Sequence, residues 1–187
     1  MIETLLKWDT HLFLLLNGLH SPFWDPIMTF ASGKLSWIPF YLLLIYFMAR
    51  KQGLKTLWWL LAIVLVIVAT DQVSVNLFKN VFQRLRPCHT PELQNLIHLV
   101  NGCGGQFGFI SSHAANTFGV ATFLSLLFRN RWATYGLLFW AAFVSYSRIY
   151  LGVHFPGDVI CGAIVGAGIG ISIWLPANYF INKKRSV

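Results

Sequence analysis

Ser147-Arg148-Ile149-Tyr150-Leu151-Gly152-Val153-His154-Phe155-Pro156-Gly157-Asp158 is a short polar island between two long apolar runs. It gathers a guanidinium, an imidazole and a carboxylate in a chain where only 11% of residues are Asp, Glu, Lys or Arg. Residues 132–146 before it and 157–176 after it read as membrane helices, so the island reads as the connection between two spans. Three costly polar groups at such a connection need a physical reason.

Composition extends this reading to the whole chain. Of 187 residues, 56% are hydrophobic, more than the 45–50% or so of a soluble domain. The sequence predicts an all-α, polytopic transmembrane helical bundle forming a single domain over residues 1–187. Residues 1–33 are expected as N-terminal interfacial helices and residues 34–180 as the core bundle. Runs 4–17 and 22–33 are too short to span, since a membrane helix needs about 20 residues, and Trp8, Trp24 and Trp37 suit an interface. The start, Met1-Ile2-Glu3-Thr4, lacks the basic region of a cleaved signal peptide.

Five spans are expected: about 35–49 (extended back through Phe30), 56–77, 113–128, 132–146 and 157–176, or six if residues 4–32 cross once. The net charge is +8, with fourteen Lys and Arg against six acids. Arg50/Lys51/Lys55, Arg129/Arg131 and Lys183/Lys184/Arg185 follow spans one, three and five. These are alternate ends, so one topology puts all three clusters in the cytoplasm. It puts loop 80–112 and the stretch 147–158 together on the outer side. Gly162, Gly166 and Gly170, four residues apart in the fifth span, suit close helix packing in lipid.

Cations also occur on that outer side. Gln72, Asn76, Lys79, Gln83 and Arg86 recur at steps of four and three, one polar stripe if the helix continues to Pro87, which is expected to end it. Snorkelling accounts for the two cations but not for the amides. Asp71, deeper in the same span, is either functional or a structural partner of a Lys or Arg. Ser111-Ser112-His113 opens the next apolar run. Serines there are N-caps, a helix N-terminus attracts anions, and a first-turn His can move a proton near neutral pH. His154 and Asp158 are four apart, and Pro156 suits the first helical position. Taken alone, that pair reads equally well as an activated nucleophile and as a helix cap. Taken together, Lys79, Arg86 and Arg148 with a helix N-terminus suit a phosphoryl group, and two histidines can supply attack and proton donation.

In order and spacing, Lys79-x6-Arg86-Pro87, Ser111-Ser112-His113 and Ser147-Arg148-x5-His154-x3-Asp158 resemble the type 2 phosphatidic acid phosphatase (PAP2) superfamily over roughly residues 20–180. The resemblance implies a bundle of the PAP2/haloperoxidase type and a metal-independent phosphatase with no cofactor. It further implies that His154 attacks phosphorus to form a phosphohistidine, that Asp158 orients it, and that His113 is the general acid. Lys79, Arg86, Arg148, Ser111 and the Ser112 amide would bind phosphoryl oxygens. The family's middle motif usually reads Pro-Ser-Gly-His, against Ile110-Ser111-Ser112-His113 here, and serine lacks glycine's freedom at positive φ.

An outward site beside the bilayer implies a membrane-lipid phosphate as partner rather than a nucleic acid. The expectation is a bacterial inner-membrane enzyme with a periplasmic active site, acting on undecaprenyl pyrophosphate or a lipid A phosphate. Phosphatidylglycerophosphate or phosphatidic acid is the alternative substrate. Vanadate-dependent haloperoxidases share the oxyanion site, but those relatives are soluble. A non-catalytic lipid transporter or binding protein is disfavoured by the retained His113, His154 and Asp158. Phe78, Phe82, Phe107 and Phe109 are either an acyl-chain entrance or interfacial anchors. Cys88 and Cys103 share the outer loop, where an oxidising compartment permits a disulfide. His89 and His98 fit no zinc spacing and read as solvated loop residues.

Overall fold

The computed structural model describes residues 2–183; Lys184 and Arg185 of the C-terminal basic cluster lie outside the described residues. The order is α1 (Ile2–Asn17), α2 (Trp24–Ser32), α3 (Ile38–Gln52), α4 (Thr56–Gln72), α5 (Asn80–Phe82), α6 (Ser112–Phe128), α7 (Arg131–Tyr150) and α8 (Pro156–Lys183). A π-helical segment, Val73–Lys79, joins α4 to α5 without a break. The described residues contain no named strand, only an isolated antiparallel bridge between Leu85 and Phe107.

Local chemistry sets the helix ends. Pro39 stands in the first turn of α3, and Gly53 at φ 57° closes that helix by donating its N–H to the Ala49 carbonyl. The chain then reverses: Leu44 and Met48 of α3 face Leu60 and Ile63 of α4 across one cavity. Asn130 caps α7, its Oδ1 accepting from the N–H groups of Trp132 and Ala133 at 2.9 and 3.1 Å.

Helix α6 is the hub, packed against α4, α7 and α8. Its buried Phe123 and Leu124 meet Trp59, Val66, Leu137 and Trp140 in the main core. Leu42, Phe47, Leu61, Phe139, Ile164 and Phe180 instead point outward, the surface a bundle presents to lipid. Among the described residues, two stretches are long and apolar enough to cross a membrane: 38–82, which contains the α3–α4 reversal, and 156–183, both with mean hydropathy 2.0.

The basic ends converge. Lys51 donates to the Phe128 carbonyl, and Lys55 Nζ to Asn182 Oδ1 at 3.0 Å. The ends of α3, α6 and α8 therefore meet at one face. At the opposite face α1 lies across the helix ends: Asp9 Oδ1 accepts from the Gly157 N–H at 2.7 Å, and Asn17 Nδ2 donates to the Tyr150 carbonyl at 2.7 Å.

Three expectations are corrected. The helix carrying Lys79 stops at Phe82, not at Pro87, because Gln83 turns left-handed at φ 48°. The π segment also adds residues per turn, so the regular stripe from Gln72 to Arg86 does not exist. His98 is not a solvated loop residue: its Nε2 sits 2.9 Å from Asp25 Oδ1, its ring stacks on His20, and its N–H donates to Asn17 Oδ1 at 2.8 Å. The fifth-span helix continues through Pro176 to Lys183.

Candidate active site

Three chain segments meet where α6 begins. Ser111 caps α6, its Oγ accepting from the Ala114 N–H at 3.4 Å, and its own N–H donates to the Asp158 carbonyl at 3.0 Å. This ties the α6 and α8 starts together and leaves the first-turn N–H groups facing one space. Ser112 is the first residue of α6 and is not among the positive-φ residues, so the serine needs no glycine-like conformation. Lys79 crosses from the π segment and donates Nζ to Ser112 Oγ at 2.8 Å.

Arg86 sits just before Pro87, held by the Phe107 and Cys103 carbonyls at 3.3 Å each. Cys103 is joined to Cys88 by a disulfide, with Cα atoms 5.9 Å apart. A Cβ at Gly108 would sit 3.1 Å from both Arg86 Cγ and Asp158 Oδ2, so a side chain there would crowd the loop against the site. Arg148 projects from the last turn of α7 and donates to Ser32 Oγ, while its buried Nε has no hydrogen-bond partner.

His154 lies in the 151–155 turn and is 1% exposed. Its Nδ1 is 3.3 Å from Asp158 Oδ2, which also accepts from the Phe155 N–H at 3.0 Å. Burial pushes the imidazole well below its usual 6.5, and the charges of Arg86, Arg148 and Lys79 push the same way. The ring is therefore neutral near pH 7, as a nucleophile must be. His113, in the first turn of α6, feels the charges of Arg148, His154 and Lys34. The structure thus brings together the eight residues the sequence assigned to a phosphate site: Lys79, Arg86, Ser111, Ser112, His113, Arg148, His154 and Asp158. Among the described residues no group of three or more His, Cys, Asp or Glu could hold a metal ion.

Two residues escaped the sequence reading, Arg84 and its partner Asp9. Arg84 donates Nη1 to Asp158 Oδ1 at 2.9 Å and Nη2 to Asp9 Oδ2 at 2.7 Å. Its guanidinium stacks on Phe155 at 4.1 Å. The signal was present, since an Arg two residues before Arg86 is unusual in so apolar a chain, but its partners are 74 and 75 residues away. Of the four phenylalanines singled out, Phe78, Phe82 and Phe109 form one cluster with centroids 5.2–5.9 Å apart. Phe107 belongs instead to the bridge with Leu85.

A neutral imidazole backed by a carboxylate and faced by fixed cations suits displacement at a phosphoryl group, and the helices around it have the surface of a bilayer protein. The class so defined is a membrane-embedded phosphohydrolase. The chain belongs to the PAP2 superfamily, whose sequence profile matches residues 56–181, and it is a membrane lipid phosphatase of that type. It is 45% identical to a lipid A 4'-phosphatase of Bacteroides thetaiotaomicron over 98% of this chain and 81% of that protein. It is 33% identical to an undecaprenyl-diphosphatase of Sulfolobus acidocaldarius over 89% of this chain and 77% of that one. The crystal structure of Aquifex aeolicus LpxE superposes with TM-score 0.65 at 27% identity, covering 88% of this chain and 93% of that one.

Proposed function

We propose that this protein hydrolyses a phosphate monoester of a lipid A-type glycolipid at the outer, periplasmic face of the bacterial inner membrane, through a phosphohistidine. The observation that carries the substrate is the 45% identity to a lipid A 4'-phosphatase across nearly the whole chain. The convergence of Lys51, Lys55 and the α6 and α8 ends at the face opposite His154 supports the orientation. In this reading residues 1–33 are interfacial helices over the core bundle 34–180.

The chemistry runs in two displacements. Lys79, Arg86, Arg148, Ser111 and the Ser112 N–H hold the non-bridging oxygens. Nδ1–H of His154 stays on Asp158, and Nε2 attacks phosphorus. The P–O bond to the sugar breaks as His113 gives its proton to the leaving oxygen. His113, now neutral, takes a proton from water, whose oxygen attacks phosphorus and breaks the P–N bond. Inorganic phosphate leaves and both histidines are restored.

Undecaprenyl pyrophosphate is the second reading, favoured by the relative of that activity. The test is phosphate release by the purified protein from lipid A, undecaprenyl pyrophosphate, phosphatidic acid and phosphatidylglycerophosphate. Preferred turnover of lipid A, with mass spectrometry locating the lost phosphate, is expected. Turnover confined to the pyrophosphate would replace the first reading with the second.

A further inference from the structure

His113 has a second face. It lines a cavity of about 490 Å³ between α3, α4 and α6, together with Lys34, Trp37, Tyr41, Asp71 and Gln72. Ser32, Gly33 and Lys34, from the turn between α2 and α3, line the same cavity as His113. The volume falls in the range of a small-molecule site.

The lining is unlike the rest of the bundle. Asp71 lies eight residues before Lys79, about two turns deeper along the same continuous helix. It is exposed and has no ion-pair partner within 4 Å among the described residues. A carboxylate at that depth, with Lys79 in electrostatic reach but no cation in direct contact, is costly unless it faces a polar space, and the cavity it shares with Lys34, Gln72, Ser112 and His113 provides one. Gln72 beside it accepts from Asn76 at 2.9 Å through Oε1, leaving its amide N–H groups for a ligand.

Directly below lies a second compartment of about 290 Å³, lined by Leu44, Ile45, Met48, Ile63 and Leu124. The two share Tyr41, Ile67, Asn116 and Thr117. A polar, aromatic-floored chamber therefore opens onto an apolar slot.

We infer that this pair of compartments is the leaving-group subsite, holding the hydroxyl-bearing sugar of the substrate against Trp37, Tyr41, Asp71 and Gln72 with an acyl chain in the slot below. The inference rests on the glycolipid reading above. A group that receives its proton from His113 must sit on the His113 side of the phosphoryl group, away from His154. Carboxylate and amide groups accept from and donate to sugar hydroxyls, and an aromatic face packs on the ring's C–H edges. A leaving group that carries its own phosphate, as in a prenyl pyrophosphate, would be repelled by Asp71.

The experiment measures kcat/KM of the wild type, Asp71→Asn and Gln72→Leu on acylated, phosphorylated glucosamine disaccharide and on p-nitrophenyl phosphate, with melting temperature as the folding control. The variants are expected to lose at least tenfold more on the glycolipid than on p-nitrophenyl phosphate, mainly in KM. Equal losses on both substrates, or none, would overturn the subsite while wild-type turnover of the glycolipid left the substrate reading standing. A wild type that releases no phosphate from the glycolipid would remove both.

Discussion

Arg84 reaches Asp158 at 2.9 Å and with its other nitrogen holds Asp9 at 2.7 Å, so one guanidinium fixes the carboxylate behind His154 and pins α1 to the start of α8. Asp158 is fully buried and Arg84 only 20% exposed. Removing one partner leaves a buried charge uncompensated, at a cost of about 3–5 kcal/mol. Arg84→Ala should lower the melting temperature and reduce kcat with little change in KM. Arg84→Lys should restore part of the stability but less of the rate, because an ammonium cannot fork between two carboxylates. Equal kcat in all three proteins would show that Asp158 needs no such support.

His154→Ala should abolish phosphate release while the protein still inserts and folds. His113→Asn should slow alkyl phosphates by about 10²–10⁴-fold, and p-nitrophenyl phosphate much less, because its leaving group needs no proton. Brief exposure of His113→Asn to radiolabelled p-nitrophenyl phosphate should give an acid-labile, alkali-stable label. The same label on His154→Ala would move the nucleophile elsewhere.

Much of this was legible in the sequence because lipid imposes a simple pattern. Apolar runs bounded by Lys or Arg gave the start of α4 and both ends of α6 almost to the residue, since a bilayer core tolerates little else, whereas α4 ends at Gln72 rather than near residue 77. The site was legible for the same reason: polar groups are rare enough that Lys79, His113 and His154 stood out. What escaped was non-local or conformational. Nothing near Arg84 announces Asp9, and nothing in Val73–Lys79 announces a π-helix or the left-handed turn at Gln83. His98 looked solvated because its partners Asp25, His20 and Asn17 come from a distant segment.

Stability should fall as the pH drops below about 6.5. Burial and the neighbouring cations hold the folded His154 well below that value. Between the unfolded and folded pKa values the unfolded chain therefore binds a proton that the folded one refuses, which favours unfolding as pH falls. Melting temperatures in detergent from pH 7.5 to 5.0 should decline more steeply for the wild type than for His154→Gln. Parallel curves would mean that His154 takes up its proton normally in the fold.

The Cys88–Cys103 disulfide closes a fifteen-residue separation, for which the chain-entropy model gives about 3 kcal/mol. Because Cys103 supplies a carbonyl to Arg86, its loss should also loosen the phosphate pocket. Paired Cys88→Ser and Cys103→Ser substitutions should lower the melting temperature and raise KM. An unchanged KM would show that Arg86 is held by Phe107 alone.

Of the described glycines, Gly166 leaves the least room for a side chain. A Cβ on Gly166 would sit 2.1 Å from the Ala115 carbonyl oxygen, so α6 and α8 would have to separate. The same helix pair carries the Ser111 N–H to Asp158 carbonyl bond, one turn before Ala115 on α6 and about two turns before Gly166 on α8, and separation would pull the α6 N-terminus away from His154. Gly166→Ala should therefore cost both stability, about 1–3 kcal/mol for overpacking, and activity. Gly168 on the same helix has nothing within 4 Å of its Cβ position. Gly168→Ala should leave activity intact and hold or raise the melting temperature, since alanine favours the helix by about 1 kcal/mol over glycine. If the two variants behave alike, the close approach of α6 and α8 is not what sets the spacing between the phosphate-binding N-terminus and its nucleophile.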